Sequence, residues 1–115
     1  MNSDLKLKIV KPSGILDSTK AAKFRQTVSQ IVEEGSKAIL IDFQDVTFMD
    51  SSGLGALVLC LKTTRSFNVQ LYLCSINDQI RMLFELTSMD KVFEIFPDQQ
   101  AFKDAILEGQ KSNSN

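Results

Sequence analysis

The 115-residue chain predicts an α/β fold: a mixed, mostly parallel sheet of four to five strands with about four helices, in the order ββαβαβαβα. Three observations carry that prediction. The stretch "AILIDF" (38–43) is almost continuously apolar and β-rich, as a central strand covered on both faces must be. Segments with apolar residues at helical spacing then alternate with further strand-like runs, the pattern of a parallel sheet. At the start, Pro12, Ser13 and Gly14 separate two short strand-like pieces, which predicts an antiparallel hairpin at one side of the sheet.

Residues 5–10, "LKLKIV", place Leu5, Leu7 and Ile9 at a period of two, a strand with one wet face. After the Pro-Ser-Gly turn, "GIL" begins the second strand. Asp17 or Ser18 can cap the next segment, where Ala21, Phe24, Val28, Ile31 and Val32 fall at helical spacing. Lys20, Lys23, Arg25 and Glu33 are left for solvent, and Gly35 stands where a helix-ending glycine would. Beyond "AILIDF", the loop "QDVTFM" leads into a helix that begins near Ser51 and ends around Thr64 to Ser66. "VQLYL" is the next strand. A helix from Ile76 to Thr87 follows, with Asn77 or Asp78 at its cap and Ile80, Leu83, Phe84 and Thr87 on one stripe. "VFEIF" (92–96) is the last strand, and Pro97 and Asp98 start a final helix holding Ala101, Phe102, Ala105 and Ile106 on one face. Residues 1–108 are thus expected to form one domain, with "GQKSNSN" (109–115) as a frayed polar tail.

Composition narrows the chemistry. Apolar residues at 43% and charged residues at 23% are those of a globular domain. Thirteen basic residues against fourteen acidic ones leave a net charge of −1, with no basic cluster, so neither nucleic acid nor a membrane surface is an expected partner. The N-terminus carries no apolar run of signal-peptide length, and no stretch approaches the ~18 apolar residues of a membrane span, so a cytoplasmic, monomeric protein is expected. Cys60 and Cys74 match no zinc or redox spacing and read as buried free thiols. The chain has no histidine, which removes Ser-His-Asp triads, Cys-His pairs and histidine metal sites. Neither a nucleophile elbow nor the lysine of a P-loop is present. Asp42 and Asp45 flank a strand among ordinary loop residues. No catalytic residue, metal or cofactor is therefore expected.

The one unusual stretch is "DSSGLG" (50–55), where the carboxyl end of a central strand and its loop feed a helix. Ser51 reads as a natural N-cap. A cap does not explain Gly53 and Gly55, each costing roughly 0.5–1 kcal/mol against alanine inside a helix. Bare backbone lets another macromolecule or a phosphate approach closely. The helix interior is apolar nearly all round, Leu59 and Cys60 widening the stripe of Leu54, Leu57, Val58 and Leu61. Sandwiching between sheet and neighbours explains most of this width, and an exposed partner patch near Leu54 would explain the remainder. Phe48 and Met49 set a large apolar pair beside the hydroxyls. A serine at a helix start within such a surface suits a charge switch. Phosphorylation adds about −1.5 to −2 charges, which the positive end of the helix dipole can hold and an apolar partner cannot.

At these residues the sequence resembles the anti-sigma factor antagonists, small bacterial STAS-domain proteins. "GILD" (14–17) is similar to the family's turn before its first helix, "LIDFQDVTFMDSSGLGAL" (40–57) to its signature, and "VQLYLCSINDQIRMLFELTSMDKVFEIF" (69–96) to its strand-helix-strand ending. The resemblance implies a partner switch. The antagonist binds an anti-sigma factor that is also a serine kinase and so releases the sigma factor. The kinase phosphorylates the serine after the motif aspartate, here Ser51, and a PP2C-type phosphatase restores binding. The implied contact surface comprises Asp17, which pairs with a basic residue of the kinase, together with Asp50, Ser51, Ser52, Gly53 and Leu54. The protein is then a substrate and ligand rather than an enzyme. One departure is "TTRSFNVQ" (63–70), where Ser66, Phe67 and Asn68 replace a glycine turn and Phe67 either packs down or stays exposed. Ser52 is a second candidate ligand for the cap.

Two other classes of function compete. One is a STAS docking subunit of a lipid-transport or stress-signalling complex, needing no phosphorylation. The other is a weak nucleotide-binding module at the "DSSGLG" helix start, which the missing P-loop lysine argues against.

Overall fold

The computed structural model of the chain describes residues 6–107. Its strands are β1 (Leu7–Val10), β2 (Ser13–Leu16), β3 (Ala38–Asp42), β4 (Asp45–Met49), β5 (Gln70–Cys74) and β6 (Glu94–Phe96). Its helices are α1 (Ser18–Glu33), α2 (Ser51–Ser66), α3 (Asp78–Leu86) and the short α4 (Gln99–Phe102). A 3-10 turn at Met89–Lys91 follows α3, and a π-helical turn at Lys103–Leu107 extends α4. The predicted start of the first strand at Leu5 and the predicted tail 109–115 lie outside the described residues.

Four strands form a wholly parallel sheet in the order β1-β3-β5-β6, with the fully buried β3 inside it. Alternate residues of β3 and β5 face opposite layers. Ile39, Ile41, Leu71 and Leu73 join the main core with Phe24, Val28, Leu57, Leu61, Ile80 and Phe84 of α1, α2 and α3. Ala38, Leu40, Tyr72 and Cys74 pack on the other side against Phe102. The mostly parallel α/β architecture thus stands as predicted, with β3 covered on both faces as its unbroken apolar run requires.

The hairpin does not form. β1 pairs parallel with β3, and β2 pairs parallel with β4 in a separate two-stranded sheet. Residues 7–16 therefore run in one direction alongside residues 38–49, through a bend. Pro12 stands in the gap between the two pairings, where its missing N–H leaves no ladder bond unmade. A register shift between Gly14 and Ile15 lets Ile15 face Phe48, and Gly14 takes φ +75°, which a side chain would disfavour.

The loop predicted at 44–49 contains β4. Only Val46 and Met49 of this strand are buried, so it lacks the alternation that marks a half-buried strand. The cap choices resolve to Asp17 for α1 and Asn77 for α3, while Asp98 caps α4. At the end of α2, Asn68 adopts φ +58°, the left-handed position that asparagine tolerates better than most residues, and Phe67 is 64% exposed. Cys60 and Cys74 are buried free thiols, as expected. Burial pushes the Cys60 thiol up to about 12. Among the described residues, no helix is long and apolar enough to cross a membrane.

Candidate functional site

β2 and β4 end in register, Leu16 opposite Met49. Each strand is followed at once by an aspartate that caps a helix. Asp17 accepts from the Thr19 N–H at 3.0 Å and from the Thr19 hydroxyl, opening α1. Asp50 accepts from the Gly53 N–H at 3.0 Å, opening α2, and its own N–H donates to the Leu16 carbonyl at 3.4 Å. The N-termini of two mutually packed helices thus open side by side at the end of one small ribbon. Their aligned peptide dipoles make this edge favourable to negative charge. The Thr19 hydroxyl and amide, helped by Lys20, outweigh slight desolvation and hold the Asp17 carboxyl below its usual range.

The cap assignment at the signature differs from the sequence reading. Asp50, not Ser51 or Ser52, is the N-cap of α2, because its carboxylate reaches the amide three residues on. Ser51 is the first residue of the helix, and both serines are exposed. Helix geometry leaves the Ser51 and Ser52 amides without intrahelical acceptors. The hydroxyl of Ser51 therefore stands at the mouth of the helix without being consumed by the cap.

Gly53 and Leu54 are buried. A Cβ on Gly53 would collide with the Leu16 carbonyl oxygen and lie 3.0 Å from the Met49 side chain, so this glycine is required by the packing of α2 on the end of β2. Gly55 is exposed with open space around it. Leu54 itself is buried, and the exposed large apolar residue of α2 is Leu59. Of the pair before Asp50, Met49 is fully buried and only Phe48 is exposed. Phe48 and its cross-strand neighbour Ile15 are 45% and 49% exposed. Of the apolar pair expected before the acidic residue, Phe48 is thus exposed, and its exposed companion is Ile15 rather than Met49.

Behind the turn, the first turn of α3 covers the open edge of β4. Gln79 Oε1 accepts from the Met49 N–H at 2.9 Å, and Gln79 Nε2 donates to the Met49 carbonyl at 2.8 Å. Asn77 Nδ2 donates to the carbonyls of Val46 and Thr47 at 3.3 and 3.2 Å, while its Oδ1 caps the Ile80 amide. Nothing in the sequence marks Gln79, since a glutamine in a first helical turn reads as a solvated residue.

Asp42 and Asp45 do not pair. Asp45 is exposed and lies 3.9 Å from Lys11. Asp42, 1% exposed, lines a polar cleft of about 600 Å³ with Gln44, Ser75, Asp98 and Gln99. Burial pushes its carboxyl up, yet hydrogen bonds from Gln99, the Gln44 amide and Ser75 hold it below the usual value. Among the described residues, no cluster of three or more candidate metal ligands occurs.

The chain matches the STAS domain model over residues 2–101. It is 29% identical to the anti-sigma-B factor antagonist of Staphylococcus aureus, covering 75% of this chain and 80% of that protein. To the anti-sigma-B factor antagonist of Listeria monocytogenes it is 30% identical, covering 72% and 73%. Among solved structures, it resembles the unphosphorylated form of the anti-sigma factor antagonist SpoIIAA, with TM-score 0.73, 18% identity and coverage of 91% and 92%. It also resembles the phosphorylated form of this Bacillus protein, with TM-score 0.67, 18% identity and coverage of 91% and 96%. At that identity the likeness concerns the fold. The family model and the two bacterial relatives place the chain itself: it belongs to the STAS domain family, with anti-sigma factor antagonists among its relatives.

Proposed function

We propose that this protein is an anti-sigma factor antagonist whose binding to an anti-sigma factor serine kinase is switched by phosphate on Ser51. In this reading it acts in the cytoplasm as ligand and substrate, not as an enzyme, and a PP2C-type phosphatase removes the phosphate. The observation that carries the reading is the position of Ser51. It is exposed as the first residue of α2, next to the capping Asp50, at the edge where α1 also begins. A phosphate there gains from two helix N-termini, so the domain can carry it without refolding.

The same phosphate is costly to a partner. The unmodified turn offers the exposed Ile15 and Phe48 side chains for apolar contact and the Asp17 and Asp50 carboxylates for basic groups. A kinase surface complementary to two aspartates tolerates their charge. Adding about −1.5 to −2 charges beside them, at an apolar contact, costs roughly several kcal/mol in desolvation and repulsion. Loss of affinity on modification follows without any rearrangement of the fold.

The names of the bacterial relatives support the partner class, and the geometry supports the switch residue. The test is binding of the purified anti-sigma kinase to wild type, Ser51→Ala and Ser51→Asp. Ser51→Ala should bind in the presence of ATP as tightly as wild type does in its absence, and Ser51→Asp should bind at least tenfold more weakly. Equal affinity of all three would remove Ser51 from the switch.

A further inference from the structure

In a strand, the N–H and C=O of one residue point to the same edge, and successive residues alternate edges. At the end of β4, the Asp50 N–H is directed to β2, where it meets the Leu16 carbonyl. The N–H and C=O of Met49 are directed to the opposite edge. Among the described residues, no strand lies there. The Gln79 carboxamide supplies both partners, accepting at 2.9 Å and donating at 2.8 Å, as a neighbouring strand would. The two bonds grip the peptide groups on either side of Met49, and the second of those groups carries the amide of Asp50.

We propose that Gln79 is a positioning residue for the switch. It serves as a side-chain substitute for a third strand, setting the direction in which the chain leaves β4 and hence where Asp50 and Ser51 stand. This rests on the reading of Ser51 as the modified hydroxyl. Two features separate the role from general support of α3. The cap of α3 is made by Asn77, so Gln79 is not needed to start the helix. Anchorage of α3 is supplied by the fully buried Ile80 and Phe84, so Gln79 is not needed to hold it down. What Gln79 uniquely contacts is the last residue before the signature aspartate. A serine that must enter a kinase site in one orientation is sensitive to such a backbone, because a displacement of about 1 Å can cost on the order of a hundredfold in rate.

The experiment compares the full chain with Gln79→Ala and, as a control for weakened packing of α3, Leu83→Ala. Amide hydrogen exchange of Gly53 reports the Asp50 cap directly and needs no partner. Gln79→Ala should accelerate Gly53 exchange about tenfold or more while Ile41 and Leu73 in the central strands stay protected, and Leu83→Ala should leave the Gly53 rate near wild type. Unchanged Gly53 exchange in Gln79→Ala overturns the proposal, and so does equal acceleration in Leu83→Ala. Phosphate occupancy of Ser51 in the native cells is read for the same variants. It should fall about tenfold in Gln79→Ala and hold in Leu83→Ala. Wild-type protein with no phosphate on Ser51 would instead overturn the functional reading, while the exchange data decide the clamp by themselves.

Discussion

Gly53 sits so close to the carbonyl oxygen of Leu16 that no side chain fits between α2 and the end of β2. The contact joins the start of one signature helix to the strand whose next residue caps the other. It also assigns the two glycines different work. Gly53→Ala must push the α2 start off β2 and should destabilise the fold by about 1–3 kcal/mol, read as a lowered urea midpoint. Gly55→Ala, in open space on an exposed helical position, should stabilise it by roughly 0.5–1 kcal/mol. If Gly55 leaves room for a partner backbone, the stabilised variant should bind the anti-sigma kinase less well. A Gly53→Ala chain as stable as wild type would contradict the packing.

Asp17 should matter twice. Asp17→Ala removes the α1 cap as well as a carboxylate from the proposed contact, whereas Asp17→Asn keeps an acceptor for the Thr19 amide and loses only the charge. The alanine variant should lower both the melting temperature and affinity for the kinase. The asparagine variant should keep most of the stability and still bind several-fold more weakly. Unaltered affinity in both, measured by calorimetry, would take Asp17 out of the interface.

Acid stability should depend on Asp42. Its hydrogen bonds hold the folded-state carboxyl below the ordinary aspartate value of 3.8, against the opposing push of burial. The stabilisation is thus present above that value and is lost as pH falls through the lower folded-state value. Urea midpoints of wild type should fall between pH 5 and pH 2.5, and Asp42→Asn should fall less over the same window because position 42 no longer takes up a proton. Parallel curves for the two proteins would show that Asp42 is not a source of the acid sensitivity.

Cys60 should be inert in the native state. Burial raises its thiol to about 12, so almost no thiolate exists at pH 8. Alkylation by iodoacetamide should proceed only at the rate of unfolding and become rapid in urea. Prompt native-state labelling of Cys60, located by peptide mass, would contradict its burial between α1 and α2.

What the sequence revealed and what it hid follow from how each element is held. α1, α2, α3 and β3 bury broad apolar faces, so their periodicity is visible in the residues themselves. β4 is held by β2 on one edge and by two side chains on the other, with only Val46 and Met49 buried, and such pairing leaves no periodic trace. The expected hairpin failed because Pro12, Ser13 and Gly14 mark a bend as readily as a reversal, and only the remote partners β3 and β4 decide between them. At the site, "DSSGLG" stood out by composition alone. Which of its oxygens caps the helix is a choice among neighbouring residues, Asp50 reaching the amide three positions on, that local sequence leaves open. That Gly53 packs on Leu16 depends on a residue more than thirty positions away.

The phosphate switch is tested most directly by a peptide-resolved phosphate map of the protein purified from its native cells, with and without PP2C phosphatase treatment. Phosphate on Ser51 that the phosphatase removes, with Ser52 unmodified, is the predicted result. Ser51 unmodified under both growth and stress would contradict it and leave the exposed Ile15–Phe48 couple as part of a docking surface without a switch.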